Sequence, residues 1–201
     1  TVYSYAHIGN ARPAVIFDIL YRLLKSIYPE VVYVRNITDV DDKINEAAKK
    51  LNKPISFITE KYTDIYHKDM QSLGILSPSH EPRVTDNIDQ IISMIKRILD
   101  NENAYINDSH VLFDITSFEQ YGKLSNRNMD EMLSGARVEV AEYKKNPGDF
   151  VLWKPSKDDE PGWNSPWGYG RPGWHIECSS MVETYLGKEI DIHGGGQDLI
   201  F

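Results

Sequence analysis

The strongest constraint on the fold is a change of hydrophobic period near the N-terminus. Val2 to Tyr5 is a short β-prone stretch, and Gly9, Asn10 and Pro13 punctuate the turn after it. From Ala14 the residues Val15, Ile16, Ile19, Leu20, Leu23, Leu24 and Ile27 recur at helical spacing. Pro13 suits the first turn of a helix, which places His7 to Asn10 on a strand-to-helix turn. Pro29-Glu30 closes the helix, and the β-branched run Val31 to Ile37 comes next. Strand, turn, helix, strand is a βαβ unit, so the sequence predicts an α/β fold with parallel strands and a right-handed crossover.

Further along, Asp41 to Leu51 and Ile55 to Leu73 read as helices interrupted by Pro54, with a break at Gly74 and Pro78. Ile91, Ile92, Ile95 and Leu99 give the segment Ile88 to Leu99 one apolar helical face. The period then changes. Ala104 to Ile106 and His110 to Asp114 flank Asn107-Asp108-Ser109 as a β-hairpin, Tyr121 to Lys145 is polar and irregular, and Phe150 to Trp153 is a strand. This stretch does not alternate β with α, which marks an insertion. The expected division is 1–82 as the first half of the α/β domain, 83–154 as an inserted α+β connective subdomain, and 155–201 as the start of the second half. Asp158 to Pro172, rich in Pro, Gly and Trp, reads as loop, Ile176 to Leu186 as helix, and Glu189 to His193 as a short strand before Gly194-Gly195-Gly196.

Composition narrows the function classes. A formal net charge of −8 over 201 residues argues against sequence-blind coating of nucleic acid, while leaving room for a local basic face. No apolar run approaches the roughly 20 residues that span a bilayer, and no basic-then-apolar leader precedes the first motif. The expectation is a protein without a membrane partner. The lone cysteine, Cys178, has no intrachain disulfide partner and suits a reducing compartment. Thr1 in place of Met, and Leu199 to Phe201 stopping in mid-element, suggest a piece of a longer protein.

Four short strings carry chemistry. In His7-Ile8-Gly9-Asn10 a helix N-terminus presents free N–H groups to a phosphate, Gly9 permits close backbone approach, and His7 is a side-chain donor able to follow developing charge. A turn with a hydrogen-bonded histidine is the alternative. Arg35 to Lys43 sits at the carboxyl end of the second expected strand, where open α/β sheets bind ligands. Alternatively Thr38 or Asp39 caps the next helix, with Asp41 and Asp42 favoured by its dipole. In Gly173 to Cys178, His175 and Cys178 are both zinc-ligand types, yet a tetrahedral site needs more donors and no second cysteine exists; a buried aromatic beside a capped helix is the alternative. In Asp191 to Asp198, three glycines let backbone lie against a nucleotide, and a carboxylate soon after suits ribose hydroxyls; otherwise this is a tight capped loop.

Together the strings Ala6-His7-Ile8-Gly9-Asn10, Asn36-Ile37-Thr38-Asp39-Val40-Asp41-Asp42, Arg171-Pro172-Gly173-Trp174-His175-Ile176-Glu177-Cys178 and Asp191-Ile192-His193-Gly194-Gly195-Gly196 resemble the cysteinyl-tRNA synthetases, a family of class I aminoacyl-tRNA synthetases, in that family's order. The resemblance covers nearly the whole chain. It implies a Rossmann-like parallel-sheet nucleotide-binding domain with a connective insertion. It implies ATP contacts and catalysis at His7 and Asn10, with Gly9 beside the nucleotide and Gly196 and Asp198 near the nucleoside. Thr38, Trp174 and His193 would lie at the substrate cysteine. The commonest form of the first signature ends in His where this chain has Asn10, a residue that hydrogen-bonds but carries no charge. The resemblance also implies a zinc ion that takes Cys178 as one ligand, with the others from a Cys upstream of Thr1 and a His and Glu beyond Phe201.

The activity so implied is ATP-dependent conversion of L-cysteine to cysteinyl-adenylate, then transfer to tRNA(Cys), with Mg2+ accompanying ATP, by a monomer in the cytoplasm. The lysine-rich second signature of class I synthetases and an anticodon-recognition domain are expected beyond Phe201, so the piece alone is expected to be inactive and to hold zinc poorly. Lys145-Asn146-Pro147, Trp153-Lys154 and Ser165 to Gly168 also resemble the family; packing alone accounts for each singly. Two other readings stay open: a cysteine ligase of the same superfamily acting on an amino sugar, and a non-catalytic synthetase-like binding module.

Overall fold

A computed structural model describes residues 1–126, 141–157, 159–173 and 175–196. The chain divides into two compact units, one formed by Thr1–Asn87 with Met181–Glu189 and the other by Ile88–Ser180 with Ile190–Phe201.

In the first unit, helix α1 spans Ile8–Ile27. It begins earlier than the periodicity suggests, because His7 caps it and draws the turn at Gly9-Asn10 into the helix. Pro13 therefore lies inside α1, not at its first turn, and the helix loses there the backbone bond that residue 13 would donate to Gly9. One face of α1 buries Ala11 and Ala14 against Met70, with Tyr66 and Ile75 packed around them. On the same face Asp18 anchors the helix: it accepts from Arg22 Nε at 2.7 Å and from the Leu76 N–H at 2.9 Å. Burial alone would raise the Asp18 pKa, but the Arg22 and Leu76 bonds outweigh it and hold the carboxyl below its ordinary range. The opposite face leaves Ile8, Ile16, Ile19, Leu23 and Ile27 exposed, so α1 is apolar on both sides.

Helices α2 (Asp42–Leu51) and α3 (Ile55–Ser72) pack through Ile44, Ala48 and Ile58, with Tyr3, Ala47, Ile55 and Tyr62 at the margin. Asn52 ends α2 in the left-handed region at φ 48°, where a short polar side chain is tolerated. After α3 the chain returns beside the Val31 to Ile37 run. Instead of the expected strand, that run makes isolated parallel bridges, Val34 to His80 and Ile37 to Arg83. Next to the run the Val2 N–H donates to the Thr38 carbonyl at 3.3 Å, and Val2 to Tyr5 is not a strand either. Arg35 donates to Glu81 through Nε and Nη2 at 3.3 and 3.0 Å, and His67 pairs with the other Glu81 oxygen, which ties α3 to the run.

The second unit is a mixed α/β module whose sheet is antiparallel, in the order β1 (Ala104–Asn107), β2 (His110–Phe113), β3 (Phe150–Pro155), β4 (Gly170–Pro172). β1 and β2 form the expected hairpin; Asp108 and Ser109 take φ of 46° and 60°, the mirror-image turn that matches strand twist. Helix α4 (Ile88–Asp100) buries Ile88, Ile91 and Ile95, and Val111, Leu112, Leu152 and Trp153 are buried in the strands. Asp149, 1% exposed, gathers the connection before β3: it accepts from the Tyr105 hydroxyl at 2.7 Å, the Asn146 N–H at 3.0 Å and the Ile115 N–H at 3.3 Å. The stretch read as loop up to Pro172 instead ends in β4, and Trp163 bridges Gly170 ahead of it. Part of the Tyr121 to Lys145 segment, residues 127–140, lies outside the described residues. Helix α5 (Ile176–Leu186) comes last; the division between units falls within it, between Ser180 and Met181. Glu189 to His193 is irregular chain and not a strand.

Candidate active site

At the start of α1, His7 and Asn10 are brought together as a reciprocal cap. The Gly9 N–H donates to His7 Nδ1 at 3.0 Å, and the His7 N–H donates to Asn10 Oδ1 at 3.0 Å. A Cβ on Gly9 would lie 2.8 Å from His7 Cε1, so the missing side chain makes room for the ring. The cap fixes the chemistry that remains. With Nδ1 accepting, the neutral ring carries its proton on Nε2; with Oδ1 accepting, Asn10 has only its NH2 to offer. Both exposed residues thus present donors to the same helix N-terminus. Donors there suit a phosphate. The cap also takes the Gly9 N–H away from any ligand, which the motif alone does not reveal.

Thr38 sits on backbone clamped from several directions. The Ile37 N–H donates to the Pro82 carbonyl at 2.9 Å, the Val84 N–H to the Ile37 carbonyl at 3.4 Å, and the Val2 N–H to the Thr38 carbonyl at 3.3 Å. Asp39, 3% exposed, is not a helix cap: its two oxygens accept from the Thr85 N–H at 3.1 Å and the Thr85 hydroxyl at 2.6 Å. Asp41 caps α2 instead, accepting from the Lys43 N–H at 2.9 Å, with Asp42 in the first turn. Asn36 Nδ2 donates to the Thr38 hydroxyl oxygen at 3.2 Å.

In the other unit, Gly173 precedes α5. Its N–H donates to the Leu152 carbonyl at 2.8 Å, and a Cβ there would come within 1.8 Å of the Val151 carbonyl oxygen. Only glycine permits that approach to β3. His175 then takes φ 64°, a left-handed conformation costly for a side chain of its size, and its carbonyl accepts from the Ser179 N–H at 3.2 Å. Cys178 lies on the first turn of α5, half-buried beside buried Glu177. Burial, then the Glu177 charge, pushes the Cys178 thiol up to about 12, so it is neutral near pH 7. His193 and Gly196 lie exposed on irregular chain after α5. Trp174 and Asp198 fall outside the described residues.

The family model for the class I (C) tRNA synthetase catalytic domain matches residues 1–201, the whole chain. The chain belongs to that family. Over its full length it is 63% identical to a cysteine–tRNA ligase of Maricaulis maris, 61% to one of Saccharophagus degradans and 62% to one of Paramagnetospirillum magneticum. It spans 44% of the length of each of these relatives.

For this class I synthetase domain the structure assembles His7, Gly9 and Asn10 at one helix end, and Asn36 with Thr38 on the clamped run. Among the described residues no group of three or more His, Cys, Asp or Glu could hold a metal. Among the described residues no helix is long and apolar enough to cross a membrane. Sequence reasoning gave Asn36 no role and missed Thr85. Thr85 stands 46 residues from the Asp39 it holds, and nothing in the local pattern marks the pairing.

Proposed function

We propose that the full-length protein activates L-cysteine with ATP and transfers the cysteinyl group to tRNA(Cys). The observation that carries this reading is agreement at about 60% identity over every residue of the chain with proteins named as cysteine–tRNA ligases. In the first step the cysteine carboxylate attacks the α-phosphorus of ATP, the bond to the β-phosphate bridge breaks, and pyrophosphate leaves. In the second, a ribose hydroxyl of the tRNA attacks the acyl carbon and AMP leaves. No protein nucleophile is needed; the protein positions reactants and stabilises charge. His7 Nε2–H and the Asn10 NH2 are donors for the phosphates, and Gly9 gives the cap its shape. Thr38, Trp174 and His193 contact the amino acid, and Gly196 and Asp198 the nucleoside.

The fold that goes with this reading is a Rossmann-like parallel sheet in 1–82 and 155–201, interrupted by a connective insertion at 83–154. The parallel bridges at Val34 and Ile37 and the antiparallel pairing of β1, β2 and β3 support it, while β4 at Gly170–Pro172 extends that antiparallel sheet past residue 154. Magnesium accompanies ATP. Zinc, which holds a thiolate far better than a hydroxyl, would take Cys178 as one ligand and complete its shell outside the described residues; no step above passes through it. The working form is a cytoplasmic monomer. Because the relatives are more than twice as long, the proposal assigns activity to the full-length protein and none to residues 1–201 alone. The test is charging of tRNA(Cys) with labelled cysteine by full-length protein. Acid-precipitable, base-labile cysteinyl-tRNA is the expected result; transfer of cysteine to an amino sugar but not to tRNA would support the rival ligase.

A further inference from the structure

We propose that Asn36 is a positioning residue that makes the Thr38 hydroxyl a hydrogen-bond donor toward the carboxylate of the bound amino acid. The inference rests on the reading of Thr38 as an amino-acid contact. Asn36 reaches Thr38 through Nδ2, which can only donate, at 3.2 Å. The Thr38 oxygen is therefore an acceptor in that bond, and its single proton is directed elsewhere. An amino acid offers a donor-only ammonium and an acceptor-only carboxylate. A hydroxyl whose proton is free suits the carboxylate, the group that attacks ATP.

The surroundings keep this polarity from relaxing. Ile37 is bonded on both its N–H and its carbonyl, the Thr38 carbonyl accepts from Val2, and buried Asp39 grips Thr85 twice. The run cannot shift to bring another group to the Thr38 oxygen without breaking these bonds. Asn36 thus acts through Thr38 and touches no substrate itself.

The experiment compares Asn36→Asp, Asn36→Ala and Thr38→Val in full-length protein, reading KM for cysteine, KM for ATP and kcat by cysteine-dependent pyrophosphate exchange. Asp at position 36 can only accept, so it draws the Thr38 proton to itself and presents lone pairs to the carboxylate. We expect Asn36→Asp to raise KM for cysteine about tenfold, as Thr38→Val does, with KM for ATP held within about twofold. Asn36→Ala, which frees the hydroxyl to turn, has the smaller effect. Combining Asn36→Asp with Thr38→Val adds nothing further. Should Asn36→Asp fail to fold, the Asn36→Ala and Thr38→Val pair decides: non-additive effects on KM for cysteine support coupling, and additive effects overturn it. A normal KM in Asn36→Asp beside a raised KM in Thr38→Val overturns this proposal alone. A normal KM for cysteine in Thr38→Val overturns the reading of Thr38 together with it.

Discussion

Alkylation of Cys178 offers a direct check on the electrostatics around α5. It is the only cysteine in residues 1–201, and peptide mapping of the metal-free protein reads that one residue. Burial first, and the Glu177 charge second, push its pKa from the ordinary 9.0 to about 12. The thiolate is the reactive form, so at pH 8 about one molecule in 10,000 would be reactive, against about one in ten for an ordinary thiol of this kind. Iodoacetamide should therefore modify Cys178 roughly a thousandfold more slowly than free cysteine. Mass spectrometry of timed, quenched samples gives the rate. Occlusion by itself would also slow the reaction, and pH separates the two causes. A raised pKa makes the rate climb about tenfold per pH unit past pH 10, whereas an occluded thiol of ordinary pKa levels off near 9. Glu177→Gln removes the second cause and should speed the reaction a few-fold, leaving the burial contribution in place. A plateau near pH 9, or a rate within tenfold of free cysteine at pH 8, would refute the reasoning.

Tyr105 predicts a loss of stability in base. Burial, then its bond to Asp149, raises the phenol from 10.0 to about 12. The folded state thus favours the protonated phenol, so its contribution is complete below pH 10 and is lost as pH rises from 10 to about 12. Tyr105→Phe should cost about 1–2 kcal/mol at pH 7, after allowing for partial exposure, and should flatten that alkaline decline in urea titrations. Thr85→Ala removes the 2.6 Å bond to buried Asp39 and should lower stability by about 1–2 kcal/mol. Thr85→Ser, which keeps the hydroxyl, should stay near wild type; equal losses in both variants would show that the methyl group and not the bond matters.

Much of the helical content could be read from the sequence, because an apolar stripe at helical spacing reports burial directly. Ile91 and Ile95 in α4, and Ile44 and Ala48 in α2, are such cases. The start of α1 was less legible. Pro13 suggests a first turn, but the His7–Asn10 cap stabilises an earlier one, and capping partners at this spacing are not revealed by hydropathy. The run Val31 to Ile37 has the β-branched composition of a strand. A strand also needs neighbours, and the described residues supply single bridges and one bond from Val2, so propensity alone overstated the ladder. The apolar period of α1 does not tell which side is covered: Ile19 and Leu23 continue it on a side that the described residues leave exposed. Of the residues the motifs single out, His7 caps α1, Thr38 lies on the clamped run, and Cys178 stands on the first turn of α5. The Gly9 bond to His7, the Asn36 bond to Thr38 and the Thr85 bond to neighbouring Asp39 depend on tertiary approach, or on which atom of a side chain is already engaged.

The most direct test of the account is cysteine-dependent exchange of labelled pyrophosphate into ATP by full-length protein, with serine as the competing amino acid and a His7→Ala variant alongside. The account predicts strong exchange with cysteine, little with serine, and a rate lowered on the order of a hundredfold or more in the variant. Absence of exchange with cysteine in the wild-type protein would contradict it and favour a binding module that has kept the synthetase fold without the chemistry.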